Sequence, residues 1–501
     1  MKKNNLMTGA FVLSVGSVLA KVFSAIYRIV LTRVLGGEGI GLYQLIFPFY
    51  SLCVVLATAG LPMAISKVIS KHKDNRLGVL KKCFVFTFII ALTLTLILIL
   101  SSRGLAILQG QKQLNICYLI LAPTIILVSA SSVLKGYFQG QQNFVPSSLS
   151  NIGEQFIKMI TGLVLSLSFI RFGLIMAIIG AVIGIVISEV VSLVVLLFFI
   201  KREKVKHSKS SNVSIKELVK DVLPITLTNI ILPISTFIDS VLVVNLLSLN
   251  FTNKMAVFLY GIESGAVSSL VSIPTIFSFA IASVILPNIT HTKHTFNKNN
   301  KLSLSIKLVL IITIPCVVCF TLVPNRLIEF LYQNKINSFG VNGVSIASKL
   351  LAISGFGVVF LVINQVYSSV LQAIDERYVA IRNLVIAVVL KFVVEILFMP
   401  SKILNIYALA VGNTLCYVTV MVLNHLEIKE NFKMKIDLSF WAKLILSNSI
   451  MVVALVAIMS FRSGLTNTLL AVLVAGLVYI YCLYITKIFN SKEKAMFKYK
   501  V

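Results

Sequence analysis

The sequence predicts an all-α membrane protein with fourteen transmembrane helices. Three observations carry that prediction. The 501 residues are 58% hydrophobic and only 12% charged, with a mean hydropathy of +0.97, whereas a soluble domain is about 25% charged. Apolar runs of the roughly 20 residues that a bilayer crossing needs recur along the whole chain. The basic residues between those runs alternate from loop to loop in the manner that membrane insertion imposes.

The runs fall at about 9–33, 42–68, 80–101, 116–137, 146–170, 173–200, 221–247, 257–290, 305–324, 348–373, 379–399, 404–426, 440–461 and 466–487. The second, eighth and tenth exceed the length of a crossing, so they tilt or extend past the bilayer. An even number of spans puts both termini on one side. Counting the span ends with the adjoining loops, 31 of the 45 Lys and Arg lie in the termini and in loops that join even to odd spans, ten lie in the other loops, and Lys21, Arg28, Lys158 and Lys391 lie deep inside spans. That asymmetry puts both termini in the cytoplasm. It also accounts for the net charge of +28, together with attraction to anionic membrane lipids, so no nucleic-acid partner is expected.

Several function classes are excluded at this level. The longest loops are 201–220 and 325–347, which leaves no room for a soluble catalytic domain. There is no GxxxxGK[ST] segment for a nucleotide-driven motor. The seven cysteines (Cys53, Cys83, Cys117, Cys316, Cys319, Cys416, Cys482) are odd in number and scattered, and offer no disulfide framework. Cys316 and Cys319 form a CxxC inside an apolar run and read as small buried side chains. His72, His207, His291, His294 and His425 lie in loops or at helix ends without zinc-ligand spacing. No metal, no cofactor and no enzyme activity are expected. Met1-Lys2-Lys3 before an apolar run resembles the start of a signal peptide, but that run is long and carries Lys21 and Arg28, so it reads as a retained first span.

The stretch 201–220, KREKVKHSKSSNVSIKELVK, reads as a cytoplasmic linker with room for a short amphipathic helix on the inner leaflet. The segments on either side look related. Leu61-Pro62 before one basic loop corresponds to Leu286-Pro287 before another, and Ser131-Ser132-Val133-Leu134 corresponds to Ser368-Ser369-Val370-Leu371. The expected layout is a six-helix bundle over 1–200, the linker, a second six-helix bundle over 221–426, and spans 13 and 14 with a cytoplasmic tail over 427–501. Six spans per repeat keep one orientation, so a pseudo-two-fold along the membrane normal relates the bundles.

The first span carries the candidate site. In GAFVLSVGSVLAKVFSAIYRIVLTRVL (9–35), Ser14, Ser17, Lys21, Ser24 and Arg28 follow one another at steps of three, four, three and four. At 3.6 residues per turn they form one polar stripe. Lipid cannot solvate such a stripe, so it must face protein or a water-filled cavity, and its cations suit an anionic guest. Lys21 lies near mid-membrane and Arg28 about 10 Å further out. Asp239 in the seventh span reaches the depth of Arg28 and is its counterpart in the repeat. The two read either as a gating charge pair or as a static ion pair between bundles.

Other charged or polar residues lie at span depth. Glu154 and Lys158 are four apart in the fifth span, Lys158 matches Glu189 of the sixth in depth, and Lys391 and Glu395 are four apart in the eleventh. These read as packing pairs or as cavity wall. Glu263, early in the eighth span, reads as an outer-interface residue. Asn364 and Gln365 in the tenth either contact sugar hydroxyls or join helices by hydrogen bonds. VLGGEGIGLYQL, preceded by Arg33 and containing Glu38, predicts a tight outer hairpin through its four glycines. Pro62, Pro123, Pro224, Pro233, Pro274, Pro287 and Pro315 sit in or beside spans and suit helices that bend.

The segments LTRVLGGEGIGLYQLIFPFYSL, GLPMAISKVIS and SSVLKGYFQGQQNFVP resemble the corresponding parts of the stage V sporulation protein B family. That family belongs to the polysaccharide-transporter branch of the MOP superfamily, which also holds MATE antiporters and MurJ-type flippases. The resemblance implies a V-shaped pair of six-helix bundles in the bacterial cytoplasmic membrane, alternating access, and export of a lipid-linked glycan precursor by a monomer, with cell-wall synthesis proteins as possible partners. MurJ-type flippases carry cavity-facing cations in their first helix, and Lys21 and Arg28 occupy similar positions. A lysine acts as a point charge where an arginine would make a bidentate phosphate contact. The leading expectation is a flippase for an undecaprenyl-pyrophosphate-linked saccharide or peptidoglycan precursor. In this expectation Ser17, Lys21, Ser24, Arg28, Asp239, Asn364 and Gln365 contact substrate, and Glu154, Lys158 and Glu189 gate or pair. The alternatives are a MATE-like cation-coupled antiporter and a non-transporting scaffold of envelope assembly.

Overall fold

The computed structural model describes residues 2–71, 76–202, 215–290, 295–374, 376–432, 437–461, 464–489 and 493. Residues 203–214 of the basic linker, His72, His291, His294 and the tail 494–501 lie outside them. The described chain is helical nearly throughout, with one isolated bridge between Ser338 and Val341. It packs as two compact units, Met1–Gly265 and Ala266–Val501. The first holds α1 (Lys2–Thr58), α2 (Leu61–Lys71), α3 (Arg76–Leu108), α4 (Asn115–Leu121), α5 (Thr124–Gly140), α6 (Val145–Phe169), α7 (Leu174–Arg202), α8 (Ile215–Leu247) and α9 (Asn253–Gly261). The second holds α10 (Ser268–Thr290), α11 (Thr295–Leu322), α12 (Pro324–Tyr332), α13 (Gly343–Ala373), α14 (Arg377–Phe398), α15 (Tyr407–Asn431), α16 (Leu438–Phe461) and α17 (Leu465–Ile485). The repeat would put a boundary at 201–220, whereas α8 and α9 pack with α1 in the first unit.

Among the described residues, twelve helical stretches are long and apolar enough to cross a membrane. One of them, Val15–Ser70, has 56 residues, about twice what a crossing uses. It breaks at Gly36, whose φ of 68° and ψ of −175° lie outside the helical region. The predicted outer hairpin is therefore a one-residue break. The 22-residue α14 carries Arg377, Arg382, Lys391 and Glu395 and is a further span of sufficient length. With both arms of α1 and with α14, the count matches the fourteen spans expected. The protein is a multi-pass membrane protein.

Small residues set the packing of the first unit, as they do where lipid supplies no hydrophobic drive between helices. A Cβ on Gly16 of α1 would meet Ser148 of α6 at 2.8 Å, and one on Gly162 of α6 would meet the Tyr27 hydroxyl at 2.7 Å. Between them Phe23 and Phe156 meet edge to face at 5.5 Å. The two helices thus run in register in the same direction. A Cβ on Gly184 of α7 would lie 2.4 Å from the Gly162 Cα. The remaining glycines of the VLGGEGIG segment permit close approach. A Cβ on Gly41 would lie 2.2 Å from the Val257 carbonyl oxygen, and one on Gly261 would lie 2.3 Å from that of Gly37.

Polar groups tie α8 to its neighbours. The fully buried Gln109 donates to the Leu45 carbonyl at 2.9 Å and to Ser240 Oγ at 3.2 Å, and accepts from the Tyr118 hydroxyl at 2.8 Å. Phe49 meets Phe237 at 5.0 Å. In the second unit α16 and α17 pack on α11 and α13 through Phe440, Leu444, Ala471 and Tyr479. The Tyr479 hydroxyl donates to the Ile311 carbonyl at 2.7 Å. The stretch 325–347, expected to be an outer loop, contains most of α12, whose Ile328 and Tyr332 are buried and whose Tyr332 hydroxyl donates to the Ala266 carbonyl at 2.9 Å.

Candidate functional site

The first arm of α1 presents three faces. Val15, Leu19, Val22 and Ile26 are exposed, at 38–44%. Gly16, Ala20, Tyr27 and Leu31 are buried. Ser17, Lys21, Ser24 and Arg28 are half-buried. At about 100° per residue the third set lies roughly opposite the first, so the stripe points away from the surface that lipid covers. The Ser14 side chain lies outside the described residues. Ser17 Oγ donates back to the Leu13 carbonyl at 2.8 Å, which satisfies one hydroxyl within the helix.

Beside the stripe, the Tyr27 and Tyr43 hydroxyls meet at 3.3 Å. The Lys158 amine of α6 lies over the Tyr27 ring, 5.9 Å from its centroid. Arg28, Glu154 and Glu189 all lie within electrostatic reach of that amine. The expected Glu154–Lys158 bridge within one helix is corrected. Glu154 pairs with Lys135 of α5 at 3.8 Å, accepts from Gln155 at 2.7 Å and contacts Ser192 at 3.5 Å. The partner comes from a neighbouring helix because the Lys158 side chain turns to the Tyr27 ring. Glu189 is buried on α7. Tyr50 accepts from Thr124 at 2.9 Å and lies within reach of Glu189 and Glu154.

Asp239 is buried on α8 in the same unit, next to the Ser240 that Gln109 holds. Glu263, expected at an interface, is 6% exposed and sits on a π-helical stretch, Ile262–Val267. In the second unit Asn364 joins helices. Its Oδ1 accepts from Asn424 at 2.7 Å and from Ser368 at 3.3 Å, and Asn424 in turn accepts from Asn383 at 2.9 Å. Gln365 is half-buried beside it. Lys391 and Glu395 of α14 pair at 3.7 Å, both buried, with Gly412 of α15 against them. Cys316 and Cys319 sit inside α11 as free thiols.

Sequence reasoning overlooked Tyr27, Tyr43, Lys135 and Gln109. One signal was available for Tyr27. Gly162 lies one turn beyond Lys158, and a glycine inside a span marks close approach by a neighbouring helix. Gln109 ends a span and gave no signal of burial.

Residues 6–293 match the family described as polysaccharide biosynthesis protein. The chain belongs to that family. This polysaccharide biosynthesis family member is 26% identical over 326 residues to the uncharacterized membrane protein YabM of Bacillus subtilis (strain 168), covering 62% of the chain and 61% of the relative. It is 24% identical over 306 residues to stage V sporulation protein B of the same organism, covering 58% and 59%. It thus spans less than two thirds of either relative's length. It is 24% identical over 534 aligned positions to lipid II flippase MurJ of that organism, covering 96% and 95%. Its fold matches a solved structure of lipid II flippase MurJ in an inward closed conformation with a TM-score of 0.70 at 18% identity, over 95% of this chain and 98% of that one. It also matches an inward-facing MATE family transporter of the MOP superfamily with a TM-score of 0.67 at 15% identity, over 84% and 98%. The resemblance to stage V sporulation protein B holds, and the fold is that of the MOP superfamily.

Proposed function

We propose that this protein is a flippase that carries a lipid-linked saccharide or peptidoglycan precursor, joined through a diphosphate to undecaprenol, across the bacterial cytoplasmic membrane by alternating access. The observation that carries the reading is the stripe on α1. Ser17, Lys21, Ser24 and Arg28 line a face opposite the exposed apolar one. A Lys or Arg at the centre of a lipid-facing helix costs about 2.5–3.5 kcal/mol, so two together would strain insertion unless they face a polar space. A diphosphate headgroup supplies the charge that such a space needs, while the lipid tail stays in the bilayer. The family and the names of the relatives, a lipid II flippase and a sporulation protein, support the same class.

In this reading Lys21 and Arg28 hold the diphosphate. Asp239 serves as the resting counter-charge of Arg28 and yields to substrate. Asn364 and Gln365 line the sugar path where their amides are not engaged in the α13–α15 contact. Both termini are cytoplasmic, the protein acts as a monomer, and cell-wall synthesis proteins supply or take up its substrate. A second reading, a cation-coupled antiporter, is favoured by the burial of Asp239, Glu189 and Glu263 and by the MATE-like fold.

Flipping of a fluorescent lipid-linked precursor in proteoliposomes separates the two. The flippase reading predicts translocation above empty vesicles and a loss of about tenfold or more in Arg28→Ala and Lys21→Ala, since charge-assisted contacts are worth about 1.5–3 kcal/mol each. Wild-type rates in both variants, or cation export without precursor movement, would defeat it.

A further inference from the structure

Lys158 is an ammonium in the middle of a membrane span whose donors are not spent on a carboxylate. Among the described residues no carboxylate lies within ion-pair distance of its Nζ. Its nearest acidic neighbour on the same helix, Glu154, is held by Lys135, Gln155 and Ser192. The side chain is half-buried, and its amine rests over the Tyr27 ring at 5.9 Å. A cation over an aromatic face gains roughly 0.5–2 kcal/mol but leaves its three N–H donors without acceptors. Inside a span that state persists only where the amine reaches polar space.

The position of Lys158 is fixed by packing. The seam between α1 and α6 runs through Gly16 and Ser148, Phe23 and Phe156, and Tyr27 and Gly162. Lys158 lies one turn before Gly162, so the seam brings its amine to the residue that precedes Arg28. Arg28 of α1 and Lys158 of α6 thus lie within electrostatic reach of one another, with Lys158 over the ring of the residue before Arg28. Like charges at this range repel unless an anion lies between them or nearby.

Resting on the flippase reading above, we propose that Lys158 is a further cationic arm of the α1 anion site, beside Lys21 and Arg28, and sets its preference for a lipid diphosphate over a lipid monophosphate. A monophosphate is met by the α1 cations alone. A diphosphate carries a second phosphoryl group, and a lysine suits it as a compact point charge whose donors rotate to meet it. Lys158 is thereby a specificity-determining residue and not part of a static pair with Glu189.

The test uses the full chain in lipid nanodiscs with three probes: farnesyl diphosphate, farnesyl monophosphate and inorganic pyrophosphate. Binding is measured for wild type, Lys158→Gln, Lys158→Arg and Arg28→Gln, all matched for thermal midpoint. Wild type is expected to prefer the diphosphate lipid. Lys158→Gln should weaken the diphosphate about tenfold and the monophosphate by no more than about twofold, as for loss of one charged hydrogen bond. Lys158→Arg should retain the preference, which separates charge from packing. Inorganic pyrophosphate should bind more weakly than farnesyl diphosphate, and equal binding would overturn the lipid assignment. An undiminished diphosphate preference in Lys158→Gln, with Arg28→Gln losing both lipids, would overturn the role of Lys158 while leaving the stripe intact. Wild-type binding of both lipids by Arg28→Gln would overturn the flippase reading itself.

Discussion

The crossing of α1 and α9 allows a quantitative prediction. An alanine methyl at Gly41 would land 2.2 Å from the Val257 carbonyl oxygen. One at Gly261 would land 2.3 Å from the Gly37 carbonyl oxygen and 2.5 and 2.6 Å from the Gly41 nitrogen and Cα. Ordinary contact begins at 3.4 Å, so the helices must part by about 1 Å, and the opposing atoms are backbone that cannot rotate aside. Overpacking of this kind costs roughly 1–3 kcal/mol, and the backbone contacts favour the upper end. The gain in helix propensity from glycine to alanine returns up to about 1 kcal/mol. The balance, about 2 kcal/mol, lowers the thermal midpoint of a unit this size by roughly 4–8 °C. The assay is thermal denaturation in detergent followed by size-exclusion fluorescence. Gly104→Ala in α3 and Gly476→Ala in α17 are the controls, because an added Cβ there meets nothing within 4 Å. The double variant should lose less than the sum of the singles, since helices already parted by one methyl accommodate the second. If Gly41→Ala and Gly261→Ala melt with or above Gly104→Ala, the close-approach account of these glycines is wrong.

Three further outcomes follow from the same structure. Gln109→Leu removes hydrogen bonds to Leu45, Tyr118 and Ser240 and should destabilise the protein by roughly 2–3 kcal/mol, read as a lower melting midpoint. Glu395→Ala removes the carboxylate paired with the buried Lys391 and should cost about 3–5 kcal/mol, whereas Lys391→Met with Glu395→Met should recover most of that loss; equal damage from single and double variants would argue against the pair. Asn424→Leu breaks the Asn364–Asn424–Asn383 ladder and should lower the midpoint, while Asn364→Asp, which keeps the oxygen that accepts from Asn424 and Ser368, should lower it less at neutral pH.

The fold class was legible because hydropathy, run length and loop charge each report a bilayer independently. Fourteen apolar runs became fourteen spans, although only the break at Gly36 separates the first two and α14 carries four charges. The stripe on α1 was legible because helical periodicity alone fixes which residues share a face, and Ser17, Lys21, Ser24 and Arg28 share one. Partners were not legible. Sequence spacing proposed Glu154 with Lys158, but rotamer choice and a neighbouring helix gave Glu154 to Lys135 and Lys158 to the face of Tyr27. Gly41 and Gly261 show the same limit. Each glycine was visible, yet the crossing of two helices 220 residues apart lies in no local pattern. Buried polar anchors such as Gln109 and Asn424 were hidden because a single amide in a span gives no sign of which carbonyl it meets.

The central claim is that the α1 stripe lines the path of an anionic lipid headgroup. Cysteine accessibility tests it directly, in a chain with its seven native cysteines replaced. Ser17→Cys, Lys21→Cys and Ser24→Cys are compared with Val15→Cys, Leu19→Cys, Val22→Cys and Ile26→Cys for reaction with a charged, membrane-impermeant thiol reagent. The account predicts that the stripe reacts, that the four apolar positions do not, and that a polyprenyl diphosphate slows the stripe alone. Reaction confined to the apolar face, or a stripe whose labelling the diphosphate leaves unchanged, would contradict it.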